Sequence, residues 1–242
     1  MTSGRVLVIL PAYREEANLP GVLDELAASR LICDVLVIDD GSPDRSADVA
    51  RERGAAVISH ATNRGYGAAL VTAYHHALEG DHDVIVQMDA DGQHDPAQIA
   101  NLVEGLARES ADVALGSRML AGGGHRASLP RLVGIHVFAW LGRRLTGRPM
   151  TDPTSGFAAM NRRAVAFLVK NTPRDFPDLN VLVALDRAGL RVVEVPVTMR
   201  DRRSGQSQLR GIRPLVYGPK MLVYLAQVYR SPRAENRRRP SP

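Results

Sequence analysis

The sequence predicts an α/β fold: a parallel sheet with helices on both faces, followed by an amphipathic C-terminal helix. Three observations carry that prediction. Short, apolar, β-branched runs alternate with helix-like stretches through the first half of the chain. Hydrophobic residues make up 45% of the 242 residues, enough to bury a substantial core. The polar motifs gather where the apolar runs stop, the ends at which open α/β sheets bind ligands.

The elements follow in order. A first apolar run, residues 5–10, leads into Pro11 and a helix-like stretch at 15–29. The second run is 34–38, followed by a helix at 46–53; the third is Ala56–Ser59, followed by a helix at 67–79. The fourth, 84–88, precedes a helix at 95–107 and a fifth strand at 113–116. Residues 121–124 form a Gly-rich loop. Residues 132–145 read as a helix that is apolar on most faces, 191–199 as a late strand, and 214–229 as a final amphipathic helix. The chain divides into a catalytic unit at 1–210, the amphipathic helix at 211–230, and an Arg- and Pro-rich tail at 231–242 expected to be disordered. No internal repeat is present.

Composition narrows the function. The single Cys33 excludes an intrachain disulfide framework and is compatible with a reducing compartment. Five apolar residues after Arg5 are too few for a signal-peptide core, and no apolar run approaches the ~20 residues of a spanning helix. The net charge of +5 conceals an asymmetry: residues 1–117 hold 8 Lys/Arg against 19 Asp/Glu, whereas residues 118–148 hold six Arg and no acid. The basic half suits anionic lipid or phosphate groups. A nucleic-acid partner would account for the arginines but not for carboxylates at successive strand ends.

The sharpest motif is Val84-Ile-Val-Gln-Met-Asp89-Ala-Asp91-Gly-Gln93, a buried strand ending in two carboxylates spaced to serve one cation. Mg²⁺ typically joins one or two carboxylates to substrate phosphates. The alternative for this pair is two solvated turn residues. A second strand ends in Asp39-Asp40-Gly41-Ser42, where a carboxylate can accept from the N–H groups of a nucleobase, while Ser42 or Asp44 can equally cap the next helix. At the end of the first strand, Pro11-Ala-Tyr-Arg-Glu-Glu16 offers a ring and a carboxylate; Glu15 and Glu16 also suit a first helical turn.

Together with Asn63-Arg-Gly-Tyr-Gly-Ala-Ala69, Gly116-Ser-Arg118 and Asp152-Pro-Thr-Ser-Gly-Phe157, these motifs occur in an order that resembles the family 2 glycosyltransferases, and within them the dolichyl/polyprenyl-phosphate sugar transferases. The resemblance covers roughly residues 5–210. It implies a GT-A fold, a Rossmann-like, mixed but mostly parallel sheet flanked by helices. It implies a GDP- or UDP-sugar donor held by Pro11, Tyr13, Glu15, Ile38 and Asp40, with Ala90 against the nucleotide. Asp89, Asp91 and Gln93 would hold Mg²⁺ or Mn²⁺ on the donor diphosphate. Arg118 falls where the family contacts phosphates or the reacting sugar.

Arg131 and Arg126 are the expected acceptor-phosphate ligands, since an Arg fork fits a pair of phosphate oxygens. The segment 202–208 resembles a loop that closes over the diphosphate. Gln208 stands where the family often carries Lys, so one cationic contact is absent and Arg202 remains the phosphate ligand. Asp152 is the candidate base if the acceptor is a hydroxyl; a phosphate acceptor, largely ionised at neutral pH, needs little such help. A turn role for Asp152 is the alternative.

The expected activity is therefore metal-dependent, inverting sugar transfer from a nucleotide-sugar to a polyprenyl phosphate. The setting would be cytoplasmic, with the enzyme peripheral at the inner face of the cell membrane and drawn to its anionic surface. Two rivals remain: transfer to a soluble or polysaccharide hydroxyl, and a non-catalytic nucleotide-sugar-binding protein.

Overall fold

The computed structural model describes residues 4–29, 31–120, 129–174, 177–201 and 213–230. The seven strands are β1 (Val6–Ala12), β2 (Cys33–Asp39), β3 (Ala56–Ser59), β4 (Val84–Gln87), β5 (Val113–Ser117), β6 (Ala158–Asn161) and β7 (Val192–Pro196). They form one sheet in the order β3-β2-β1-β4-β6-β5-β7. β1 pairs in parallel with β2 and β4, β2 with β3, and β5 with β7; only β6 runs against its neighbours β4 and β5. The sheet is thus mixed and mostly parallel.

Side-chain alternation along β1 explains the two layers of helix. Leu7 and Ile9 enter a core shared with α3 (Tyr66–Glu79), α6 (Arg162–Asn171) and α7 (Leu179–Arg187). Val6, Val8 and Leu10 enter the opposite core with α1 (Leu19–Ala28), α2 (Ser46–Glu52) and α4 (Ile99–Arg108). All of β1 is buried, so it reads as one continuous apolar run, as strands covered on both faces do. Fully burying a side chain such as Ile9 or Leu10 contributes about 1.5–3 kcal/mol. The helix α5 (Leu129–Thr146) contacts α7, and α7 contacts α8 (Arg213–Arg230), which buries Met221 and Leu225.

The expected strands are present, with differences that have local causes. Helix α1 begins at Leu19 rather than near 15, because the backbone of 15–18 forms a turn. The N–H groups of Asn18 and Leu19 both donate to the Glu15 carbonyl, and Pro20 then occupies the first helical turn. Before α4, Asp95 caps a short 3-10 turn (Pro96–Gln98) by accepting from the Ala97 N–H at 3.0 Å. Residues 158–187 hold β6, α6 and α7, none of which the sequence reading assigned. Asn161 caps α6 by accepting from the Ala164 N–H at 2.9 Å. Arg162 then donates to carbonyls of Ala77, Leu78, Gly80 and His82, closing the C-terminal end of α3. The tail expected to be disordered, 231–242, lies outside the described residues.

Candidate active site

The chain builds outward from β1 to β2 and β3, then returns to place β4 on the other side of β1. Such a reversal opens a crevice beyond the carboxyl ends of the two central strands. Pro11 and Ala12 close β1 and are buried; Tyr13 is half-buried beneath the Arg14 guanidinium, 5.4 Å from the ring centroid. Arg14 has a φ of 58°, and its N–H donates to Ser42 Oγ at 3.1 Å. Glu15 is buried; its N–H donates to Ser46 Oγ at 2.9 Å and its Oε2 accepts from Asn18 Nδ2 at 2.5 Å. These bonds lace the turn after β1 to the turn after β2.

In that second turn Ile38 is fully buried, so it can offer a ligand only backbone. Asp39 Oδ1 accepts from the Ser42 N–H at 3.0 Å. Asp40 is buried and accepts from the N–H groups of Arg64 at 2.9 Å and Gly65 at 2.8 Å, while His60 Nδ1 lies 2.7 Å from its Oδ1. The carboxylate expected at the nucleobase therefore also ties down the 60–65 segment. Gly41, with φ of 69°, lets the turn pass that segment: a Cβ there would lie 2.5 Å from the Thr62 carbonyl carbon.

Beyond β4, Asp89 is partly exposed, and its Oδ1 accepts from the Tyr66 hydroxyl at 2.9 Å. The Asp89 N–H donates to His94 Nδ1 at 2.9 Å. His94 is itself buried and stacked on Phe157, with ring centroids 4.8 Å apart. Asp91 Oδ1 accepts from the Gln93 N–H at 3.0 Å, and the Gln93 carbonyl accepts from the Arg200 N–H at 2.8 Å. Ala90 is buried between the two carboxylates. Burial first, and then the Asp89 carboxylate, holds the Tyr66 phenol well above its ordinary pKa, so it remains a donor.

This donor set fits a hard divalent cation. Two carboxylates stand two residues apart at one strand end, and Asp89 Oδ2 faces His94 Nε2 only at 3.7 Å. Among the described residues no group of three or more His, Cys, Asp or Glu could hold an ion, so the fit rests on the two carboxylates alone; Mg²⁺ typically takes one or two.

At the end of β5 the geometry is different. Arg118 donates from Nε to Asp152 Oδ2 at 2.6 Å and from Nη2 to Asp152 Oδ1 at 2.7 Å, and from Nη2 also to Thr154 Oγ1 at 3.0 Å. The two side chains are 4% and 0% exposed. Glu194 of β7 accepts from the N–H groups of Thr151 and Asp152, at 2.8 Å each, and so fixes the backbone that presents Asp152. The sequence weighed Asp152 as a base and Arg118 as a separate ligand of phosphate or sugar. Here both oxygens of Asp152 are engaged by Arg118, the geometry of a partner rather than of a base with a lone pair open to an acceptor.

Arg126, Arg202 and Gln208 lie outside the described residues, as does the side chain of Arg131 at the start of α5. The sequence reading missed Tyr66, His94 and Glu194 as parts of the site. Tyr66 sits within Asn63-Arg-Gly-Tyr-Gly-Ala-Ala69 and His94 next to Gln93, so a signal existed for both. Glu194 carried none, because nothing in a late strand marks which neighbour its carboxylate will meet.

A model of the family described as Glycosyl transferase family 2 matches residues 7–168. The chain is 34% identical over 219 residues to the undecaprenyl-phosphate mannosyltransferase of Micrococcus luteus, across 86% of this chain and 88% of that one. It is also 34% identical over 219 residues to the polyprenol monophosphomannose synthase of Mycolicibacterium smegmatis, across 86% and 82%. The fold matches glucosyl-3-phosphoglycerate synthase from Mycobacterium tuberculosis, solved with UDP, at a TM-score of 0.69 and 23% identity over 93% of this chain and 81% of that one. The architecture is that of GT-A glycosyltransferases. The same synthase has been solved with Mn²⁺ and UDP-glucose, and matches at a TM-score of 0.68 and 23% identity over 93% of this chain and 80% of that one.

Proposed function

The chain belongs to glycosyl transferase family 2 and is a glycosyltransferase, and from that premise we propose that it moves a hexose from a GDP- or UDP-sugar to the phosphate of a polyprenyl phosphate. The observation that carries the choice of acceptor is the buried Arg118–Asp152 pair. A hydroxyl acceptor needs a base with a lone pair directed at it, and Asp152, the best sequence candidate, has both oxygens on Arg118. A phosphate arrives already ionised and needs no base. The names of the two relatives, both built on polyprenyl phosphates, support the same reading.

In this reading Pro11, Tyr13, Glu15, Ile38, Asp40 and Ala90 form the nucleotide cradle, Ile38 through its backbone. Mg²⁺ or Mn²⁺ held by Asp89, Asp91 and Gln93 would stabilise the charge that develops on the departing nucleoside diphosphate. Arg202 and Gln208 would close over that diphosphate. Arg118 and Asp152, buried against each other, hold the loop that follows β5 in place beside the reacting groups, and Arg131 and Arg126 are left to bind the acceptor phosphate. Transfer is read as a single in-line displacement with inversion; Asp152, with both oxygens on a buried guanidinium, is poorly placed to act as a covalent nucleophile.

Among the described residues no helix is long and apolar enough to cross a membrane. Val133, Val137 and Trp140 on α5, and Leu222, Val223 and Tyr229 on α8, are exposed. We place these faces against the anionic inner surface of the cell membrane, with the enzyme peripheral to it.

The test is a panel of GDP- and UDP-sugars with Mg²⁺ or Mn²⁺, offered polyprenyl phosphate or soluble hydroxyl acceptors, following nucleotide release and product anomer. Release that requires polyprenyl phosphate, with inverted product, is expected. Efficient transfer to a soluble hydroxyl alone would overturn the acceptor, and donor binding without turnover on any acceptor would overturn catalysis.

A further inference from the structure

We infer that Tyr66, Gln87 and Tyr74 form a relay of directed hydrogen bonds that sets the Asp89 carboxylate, with Tyr66 as its positioning residue. The inference rests on the reading above in which Asp89 helps hold a divalent cation.

The geometry is continuous. Tyr66 opens α3, and its hydroxyl donates to Asp89 Oδ1 at 2.9 Å. That hydroxyl accepts from Gln87 Nε2 at 3.2 Å. Gln87 Oε1 accepts from the Tyr74 hydroxyl at 2.6 Å. Tyr74 lies two turns further along the face of α3 that carries Tyr66, and both Tyr74 and Gln87 are buried.

The direction of each bond follows from the groups themselves. An ionised carboxylate can only accept, so the one phenolic proton of Tyr66 goes to Asp89. The amide N–H of Gln87 then meets a lone pair of that phenol, and the amide oxygen meets the proton of Tyr74. Reversing the amide would turn its oxygen toward the Tyr66 hydroxyl and draw that proton away from Asp89. In the reversed amide the Tyr74 hydroxyl would accept an N–H, and its own buried proton would lose the Gln87 oxygen. That loss opposes the reversal, so a group remote from Asp89 still bears on how its carboxylate is held.

The setting leaves little freedom. A Cβ on Gly156 would stand 3.1 and 3.2 Å from the two Asp89 oxygens and 3.2 Å from the Tyr66 hydroxyl, so the wall behind the pair has no spare room. With Oδ1 engaged by Tyr66 and the Asp89 N–H tied to His94, the carboxylate is held in one orientation. Hydrogen-bond partners of metal ligands orient the ligand, and their loss typically lowers metal affinity by about 10–100-fold.

The experiment titrates Mn²⁺ into the full chain with saturating GDP or UDP, reading free Mn²⁺ by electron paramagnetic resonance, beside steady-state rates and thermal melts. Wild-type protein that binds no Mn²⁺ with either nucleotide sinks the metal reading itself. If wild type binds, Tyr66→Phe is expected to weaken Mn²⁺ by about ten-fold. The Mn²⁺ needed for half-maximal turnover should rise by the same factor, and saturating Mn²⁺ should restore kcat. Tyr74→Phe should shift Mn²⁺ affinity in the same direction by a smaller factor. Unchanged Mn²⁺ affinity in a folded Tyr66→Phe protein, or a lost kcat that Mn²⁺ does not restore, overturns the assignment of Tyr66. Unchanged affinity in Tyr74→Phe overturns the relay, and this variant decides the matter if Tyr66→Phe does not fold.

Discussion

At the strand ends of the N-terminal half, carboxylates are held mainly by uncharged donors. Asp39 is held by a backbone N–H, Asp40 by two backbone N–H groups beside His60, and Asp89 by the Tyr66 hydroxyl. At the end of β5 the carboxylate of Asp152 is held by a guanidinium, with both partners buried. The difference decides what each end can bind. A carboxylate satisfied by neutral donors keeps its net charge and remains able to attract a cation. A carboxylate paired with Arg118 is neutralised inside the fold, and its removal is felt as lost stability before lost chemistry. The acidic half of the chain thus keeps charge for a ligand, while this part of the basic half uses charge to hold its own loop.

Two substitutions should separate these regimes. Asp152→Ala leaves Arg118 buried without its counter-charge, and loss of one member of a buried pair costs about 3–5 kcal/mol. A large fall in the thermal midpoint, with donor affinity kept in whatever protein folds, is the expected result; an unchanged midpoint with lost turnover would return Asp152 to catalysis. Asp91→Asn should do the reverse. Asn Oδ1 can still accept from the Gln93 N–H, so the fold stays, while turnover drops by about 10²–10³-fold, or about 2.7–4 kcal/mol of barrier. Near-wild-type turnover with saturating metal would remove Asp91 from the site.

A third change probes the N-terminal half without touching charge. Gly41→Ala places a Cβ 2.5 Å from backbone at a φ of 69°, and strain of this kind costs about 1–3 kcal/mol. Because the turn carries Asp40, nucleotide affinity measured by calorimetry should fall along with stability. A stable variant with unaltered affinity would mean that the turn tolerates repacking and that Asp40 does not depend on it.

The same contrast explains what could be read before the structure. The N-terminal half was legible because β1 is buried along its whole length and β2 and β4 are buried toward their C-terminal ends, so these apolar runs are unbroken, and because carboxylates follow directly where those runs stop. Residues 158–187 were not, since β6 is a four-residue run, Ala-Ala-Met-Asn, whose antiparallel pairing depends on β4 and β5 far away in sequence. For α6 a signal was present but unused: Asn161 as a cap, followed by apolar residues at helical spacing, Ala164, Val165 and Leu168. The residues Asp152 and Arg118 were each legible, but their pairing was not, because it is set by Glu194 fixing a loop across 42 and 43 positions.

The smallest expected effect tests whether the basic half meets a bilayer. On α5 the exposed Val133, Val137 and Trp140 form a stripe that runs into the exposed Arg143 and Arg144 near the C-terminal end. If this stripe lies in a membrane interface, charge and apolar area should respond differently to salt. Arg144→Gln should weaken co-sedimentation with anionic vesicles by about 1 kcal/mol, roughly five-fold, at low ionic strength, and by less at high salt, where the attraction is screened. Trp140→Ala should weaken binding by a factor that salt leaves nearly unchanged, because burial of its ring does not depend on charge. Removing residues 231–242, which takes away four Arg and one Glu, should show the same salt dependence as Arg144→Gln with a larger loss at low salt, and none of the three should alter donor affinity, which we assign to the other half. Vesicle binding that ignores all three changes would move the membrane contact away from α5 and the tail, and would leave the exposed face of α8 to be tested in the same way.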